Sequence, residues 1–449
     1  RQAAENLLTS GHTDEGRTVL EEALAREGMG LPGSMGRAIA SLIGHRIALG
    51  VTGTEFEARE AADVAPATAR RLDALWTTSR GLMYTDGILG ALFHARHLRE
   101  ALKGGDVERV VRGLGFEQVG MCALNPRKAE SMTVTLDRLR ALAIEREHSY
   151  AEGMVEQFRA AALISSGRFR PAWEATERTV AIFRERCTGV MQEIGFTEAH
   201  GSAALLFMGR VRELRSLSTR MLRDSTEHAN PYVEGFARGM LHYCLLAEDS
   251  VSAAQEQIEI YRRDAPRKFE AHLVNVCEQE AALARYRGRA EESWQLIQRD
   301  LPMMKKTNMA RLPCTLVEMH FAVGQCAVAW ASRAPDPKPL LASATKMSKL
   351  LKKLPLPAGP AYGALIESSV LGIRGDEDGC VDKLKLAIEG LDAADMKAFH
   401  ASAQRRLAER VGGDEAAQLR TRSEAWMVTE GIVNPDRFTD MMAPGFTRA

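Results

Sequence analysis

The sequence predicts an all-α fold: a right-handed superhelical solenoid of stacked antiparallel helix pairs. Three observations lead there. The first is a helical hairpin written into residues 160–184, AAALISSGRFRPAWEATERTVAIFR. An apolar run ends at Gly167, which can close a helix in the left-handed conformation, and Pro171 suits the first turn of the next helix. Trp173, Thr176, Val180 and Phe183 then share one helical face. The second is recurrence. Turn markers fall at Gly167, Gly209, Asp249, Gly288, Asp336, Gly375 and Gly412, at intervals of 42, 40, 39, 48, 39 and 37 residues. The third is the lack of any sustained alternation of period two, so almost no sheet is expected.

The elements follow in order. Residues 2–10 read as helix closed by Gly11, and 14–26 as its partner, with Asp14 and Glu15 complementing the helix dipole. The stretch Gly28-Met29-Gly30-Leu31-Pro32-Gly33 is a break. Helices are expected at 34–49, 67–84, 88–102 and 107–122, with an irregular stretch at 50–66. Asn125-Pro126 is a cap followed by Pro at a first helical position, and helices at 128–146 and 150–164 follow. From there the hairpins repeat. Their second helices carry apolar faces such as Val251, Ala254, Ile258 and Tyr261, or Ala290, Trp294, Ile297 and Leu301, or Val381, Leu384, Ile388 and Leu391. A single hairpin cannot bury both faces, so neighbours must stack, and a period near 40 suits a two-helix unit somewhat longer than the 34-residue tetratricopeptide repeat. The prolines of 334–339 and 354–360 cannot continue a helix and read as stiff loops or sub-array boundaries. A short helix from Asn434-Pro435 through Met442 is expected to cap the last apolar face. The expected divisions are 1–125, 126–333 and 334–449.

Composition excludes several classes. Of 449 residues, 45% are apolar and 26% charged, which is ordinary globular chemistry. Basic and acidic residues balance at 59 each, so bulk charge calls for neither nucleic acid nor an anionic membrane. No apolar run reaches the roughly 18 residues of a membrane span. The seven cysteines are scattered without a CxxC and read as reduced core residues of a cytoplasmic protein. The chain opens on Arg rather than Met, as expected of a piece of a longer protein.

Chemical motifs are sparse. Gly28, Gly30 and Gly33 match G-x-G-x-x-G, but a helix rather than a strand precedes them and Pro32 interrupts the turn. Neither a phosphate-binding P-loop nor kinase catalytic motifs occur. His94 and His97, with Glu100, could face one way on a helix; zinc would need further ligands, and a partly exposed polar stripe is the simpler reading. Glu145-x-x-His148 occurs once, where a di-iron bundle needs two such motifs and two further carboxylates. No cofactor is expected. Residues 301–360 hold nine basic and two acidic residues. Lys346, Lys349 and Lys353 flank an apolar face there and could dock an acidic partner, although a solvated outer face explains them too.

Two stretches carry a family likeness. One is AAENLLTSGHTDEGRTVLEEALAREGMGLP with FEAREAADVAPATARRLDALWTTSRGLMYTDGILGALFHARHLREALKGGDVERVVRGL; the other is EGIVNPDRFTDMMAPGF. Both resemble the C-terminal helical-repeat region of large bacterial serine/threonine kinases. In that family a kinase domain precedes a STAND-type AAA ATPase, and a tetratricopeptide-like array ends the chain. The matching residues are scaffold, so no active-site residue carries over. The resemblance implies a non-catalytic sensor or docking arm, binding a protein or peptide in its concave groove and regulating a kinase or ATPase module upstream. The alternative is the small-molecule-sensing arm of a STAND-type regulator. Solenoid grooves are lined by first helices, which makes Arg159, His200, His242, Tyr243, Arg285, Tyr286 and His320 the candidate contacts, with Lys346, Lys349 and Lys353 outside.

Overall fold

The computed structural model describes residues 13–83, 86–264 and 270–446. The helix expected at 2–10 lies outside them. Twenty-one α-helices follow one another: α1 (Thr13–Arg26), α2 (Met35–Thr52), α3 (Pro66–Met83), α4 (Gly87–Gly104), α5 (Val107–Leu124), α6 (Ala129–Glu145), α7 (Ser149–Ser165), α8 (Phe169–Arg186), α9 (Met191–Met208), α10 (Val211–Glu227) and α11 (Pro231–Ala247). Then come α12 (Val251–Asp264), α13 (Glu270–Tyr286), α14 (Ala290–Met304), α15 (Pro313–Ala331), α16 (Lys338–Leu351), α17 (Ala358–Ile373), α18 (Glu377–Ala393), α19 (Lys397–Ala408), α20 (Gly413–Glu430) and α21 (Pro435–Met442). Among the described residues there is no strand longer than a single bridge, between Arg59 and Asp106.

The turn markers close the hairpins. Gly167, Gly209, Gly288 and Gly375 take φ of 72°, 72°, 72° and 82°, and Asp249 takes 54°. At the last hairpin Gly413, with φ 62°, holds the left-handed position instead of Gly412. Asp336 lies in the connection between α15 and α16, and its carboxylate accepts from the Lys338 amide at 3.1 Å. Of the face expected on α8, Trp173, Thr176 and Phe183 are buried and Val180 is half-buried.

From α5 to α17 the odd-numbered helices touch one another in succession, while each even-numbered helix from α6 to α18 packs on the odd ones to either side. The odd helices therefore form an inner wall and the even ones an outer layer. A repeated charge clamp ties the layers. Glu156 of α7 is held by Arg140 of α6 at 3.4 Å and Arg178 of α8 at 2.9 Å. Glu198 of α9 sits between Arg184 and Arg220, both at 2.9 Å. Glu280 of α13 pairs with Arg262 and Arg299, and Glu367 of α17 with Lys352 and Lys383. In each case basic side chains before and after the inner helix grip one acid, which fixes the angle between successive hairpins.

Those angles bring the array back on itself. Helix α5 touches α15, and α9 touches α19. Gly167, between α7 and α8, lies against Leu356 and Pro357 just before α17. The carbonyl of Ala247, the last residue of α11, accepts from the Val433 amide that leads into α21, at 2.8 Å. Every such contact joins elements ten helices apart, so five hairpins make one turn and the second turn stacks on the first. One hydrophobic core accordingly runs from Leu49 to Phe446.

Candidate functional site: the inner wall and the C-terminal segment

The helix expected from Asn434-Pro435 through Met442 is present as α21, and it does more than cap the last hairpin. Gly431 closes α20 in the left-handed conformation, and Asn434 caps α21 by accepting from the Arg437 amide at 3.2 Å. Phe438, Met441 and Met442 then wedge between α19 and α13 of the preceding turn. Asp249 fastens this entry. It accepts from Tyr286 Oη at 2.8 Å, from Asn434 Nδ2 at 3.3 Å and from Arg437 Nη1 at 3.2 Å.

The last turn of α21 and the extended residues 443–446 beyond it cross the inner wall. Four consecutive carbonyls are taken by four different inner helices. Arg285 Nε of α13 donates to Met441 O at 3.2 Å, and Gln325 Nε2 of α15 to Met442 O at 2.7 Å. Arg406 Nε of α19 donates to Ala443 O at 2.8 Å, and Ser369 Oγ of α17 to Pro444 O at 3.0 Å. Gly445, with φ 93°, passes so close to the wall that a Cβ there would lie 2.8 Å from Val328 Cβ. Phe446 ends under the guanidinium groups of Arg406 and Arg410, 5.3 and 5.7 Å from its centroid. Arg406 also pairs with Asp440 at 2.5 Å and Glu409 at 3.1 Å, so a buried cation is balanced by two acids and a carbonyl, as burial of a charge requires.

A second feature of the same wall is acidic. Glu278 of α13 and Glu318 of α15 stand near Tyr243 of α11 and Tyr362 of α17. Burial pushes the Glu318 carboxyl up to about 7. Burial also drives Glu278 well above the usual carboxylate range; the charge of Glu318 adds to this and Arg285 opposes it. The Oε1 atom of Glu278 is buried with no hydrogen-bond partner. Two neighbouring acids that both resist ionisation favour the arrival of a cationic group. Phe321 stacks on Tyr362 at 3.7 Å, and Phe399 meets both edge-on, giving the wall an aromatic floor.

The candidate contacts separate. Arg285 and Tyr243 reach the inner wall. Arg159 is buried in the interlayer clamp, on Asp137 at 2.7 Å and Glu156 at 3.2 Å. His242 is fully buried, its Nδ1 on Ala254 O at 3.0 Å, and burial lowers its pKa to about 4. Tyr286 is buried with its hydroxyl on Asp249. None of these three is presented to a partner, because each is enclosed between successive helices. His200 is half-buried between the rings of Phe196 and Phe236. His320 is half-buried, its pKa lowered by burial and then by Lys305 and Lys346. Lys346, Lys349 and Lys353 are exposed on the outer layer. Gln325, Ser369 and Arg406 carried no signal in the sequence, since only the second superhelical turn brings the tail to them, and Glu278 and Glu318 meet only once α13 and α15 pack side by side.

The other constellations are structural. His94 and His97 are buried beside Trp76 and Phe116 rather than forming a partly exposed stripe. His94 Nε2 meets Glu117 at 2.9 Å, and Glu100 turns away to Arg71 at 2.8 Å. His148 pairs with Glu108 at 3.4 Å. Among the described residues no three His, Cys, Asp or Glu side chains converge as a metal group, and no helix is long and apolar enough to cross a membrane. Burial raises the thiols of Cys314 and Cys380 to about 11, away from nucleophilic reactivity. An open cleft of about 690 Å³ lies where α5, α7 and α9 begin. Within it Glu108 pairs with Arg112 at 2.6 Å and Glu193 accepts from Tyr150 at 3.0 Å, while Arg186 turns to Glu152 at 2.6 Å. No family model and no curated protein matches this chain.

Proposed function

We propose that the chain is a non-catalytic, cytoplasmic helical-repeat arm that grips an extended segment of a protein partner along its inner wall. Following the likeness noted in its first and last stretches, binding there regulates a kinase or STAND ATPase module of the same signalling protein. One observation supports the reading most. Side chains from four inner helices hold four successive backbone carbonyls of residues 441–444. Contacts to main-chain carbonyls hold a chain with little regard to its side chains, and here they hold the protein's own tail, the last turn of α21 and the extended residues beyond it. A partner segment competes with it. The test supplies a labelled peptide of residues 433–446 to the whole chain and to a Phe438→Ala variant whose own tail is loosened. The peptide should bind the variant at least ten-fold more tightly than the wild type. Equal or absent binding to both would remove the inner wall as a peptide site.

A second reading, a small-molecule-sensing arm, is favoured by the unpartnered Glu278 oxygen beside Glu318 and Tyr243. It predicts that a cationic metabolite such as a polyamine raises the melting temperature of the wild type and leaves Glu318→Gln unmoved.

A further inference from the structure

Helix α2 packs one side on α4, burying Ala38 and Leu49. Its other side is uncovered by the described residues. Met35, Ile39, Ile43, Ile47 and Val51 recur at every fourth position and are 46, 41, 54, 63 and 82% exposed. They form one continuous ridge along the helix. Beside it runs a second row at the same spacing, Gly36, Ala40, Gly44 and Ala48.

The glycines of this row differ from those of the inner wall. At Gly153, Gly201 and Gly235 an added Cβ would lie 2.4 Å from Phe183, Thr176 and His272 respectively. Packing within the chain demands glycine there. At Gly36 and Gly44 an added Cβ would meet nothing within 4 Å, and neither residue has a positive φ. Glycine inside a helix costs stability relative to alanine, and no contact within the described residues offsets that cost. A ridge of large side chains flanked by a trough of small ones is the surface against which a second helix packs closely.

Size and charge select the occupant. The helix is about 27 Å long and roughly 10 Å wide, a footprint well below the roughly 800 Å² per partner of a stable dimer. It suits one helix laid in a groove. Between residues 35 and 52 the chain has Arg37, His45 and Arg46 and no acid. Arg96 and Arg99 of α4 reach Ser41 and His45 at 3.4 and 2.7 Å, while Glu117 pairs with Arg46 and Glu100 with Arg71. The balance along the groove is basic.

We propose that α2 is a docking site for a single amphipathic helix of another polypeptide, its apolar stripe seated on the ridge and trough and its flanks acidic. The site lies outside the inner wall and stands independently of the peptide reading given above. The probe is a labelled 18-residue helical peptide with leucine and alanine at every fourth position and glutamates on both flanks. Its twin carries lysines instead. Titrated with the whole chain, the glutamate peptide should bind at least ten-fold more tightly than its twin. Gly44→Leu, at a position where an added Cβ meets nothing within 4 Å, fills the trough and should cut that binding at least ten-fold while the melting temperature holds. Ile43→Glu should do the same. Indifference to flank charge, or unchanged binding by Gly44→Leu, would overturn the proposal. So would three reassignments: dimerisation that Ile43→Glu abolishes, flotation with anionic vesicles that Ile43→Glu abolishes, or tighter probe binding once residues 1–12 are deleted.

Discussion

Helices α10 and α15 are close in length and opposite in design. In α10, Leu214, Leu217, Ser218, Met221 and Ser225 are the only buried residues of 17, all on one face. In α15, 14 of 19 residues are buried, on every side. The outer helix covers one neighbouring surface and meets water elsewhere. The inner helix is enclosed by its outer partners, by the inner helices before and after it, and by the tail. An outer helix is thus amphipathic in the ordinary sense, whereas an inner one is packed all round and has little surface left for recognition. On the first helices α13, α15, α17 and α19 it is the protein's own tail that lies along the inner wall.

The contrast can be broken by mutation. The largest effect is expected from Arg406→Ala, which leaves Asp440, Glu409 and the Ala443 carbonyl without their buried partner. Docking of the tail should weaken by about 3 kcal/mol, read as faster amide exchange across residues 435–446. Gly153→Ala comes next. Its Cβ would meet the Phe183 ring at 2.4 Å between α7 and α8, costing about 2 kcal/mol by overpacking and lowering the melting temperature.

The pH dependence separates two groups of the inner helices, the half-buried Glu318 and the buried His242. The Glu318 carboxyl moves from 4.5 to about 7, so its stabilising contribution is present below the unfolded value and lost as pH rises through about 7. Glu318→Gln removes that loss. Its stability relative to wild type should grow by on the order of 1–2 kcal/mol between about pH 5 and pH 8. His242 works the other way. Held at about 4 against 6.5 unfolded, it favours the fold above the unfolded value and loses that contribution as pH falls through about 4, and Glu318→Gln leaves this acid limb in place. The smallest effect belongs to the exposed end of α5. A Cβ on Gly120 would meet nothing within 4 Å, so Gly120→Ala should gain roughly 0.5–1 kcal/mol, a small rise in melting temperature and the opposite sign to Gly153→Ala.

The hairpins were legible because their signals are local. Gly167, Gly209 and Gly288 mark helix ends that the backbone itself requires, and the 3, 4, 3 spacing on α8, α12 and α18 marks the faces that pack. The returns between hairpins were harder to see. Glu147, Ala229 and Asp395 take φ of 51°, 48° and 56° there, and residues of those types in a left-handed turn leave no mark in a sequence. Arg285 and Tyr243, chosen by their place on first helices, stand at the inner wall, while His242 and Tyr286, chosen on the same ground, turn into the packing. The difference is a fraction of a helical turn, which residue type does not reveal.

The sequence by itself determined the all-helical class, the hairpin and its period, since these follow from hydrogen bonds and side-chain periodicity within some 40 residues. Only the tertiary structure decided that five hairpins close a turn, that the second turn lies on the first, and that Met441 to Pro444 cross the inner wall. Curvature is the sum of small angles set where Glu156, Glu198, Glu280 and Glu367 are gripped from both sides. Such angles accumulate over two hundred residues, and no stretch of sequence records their total.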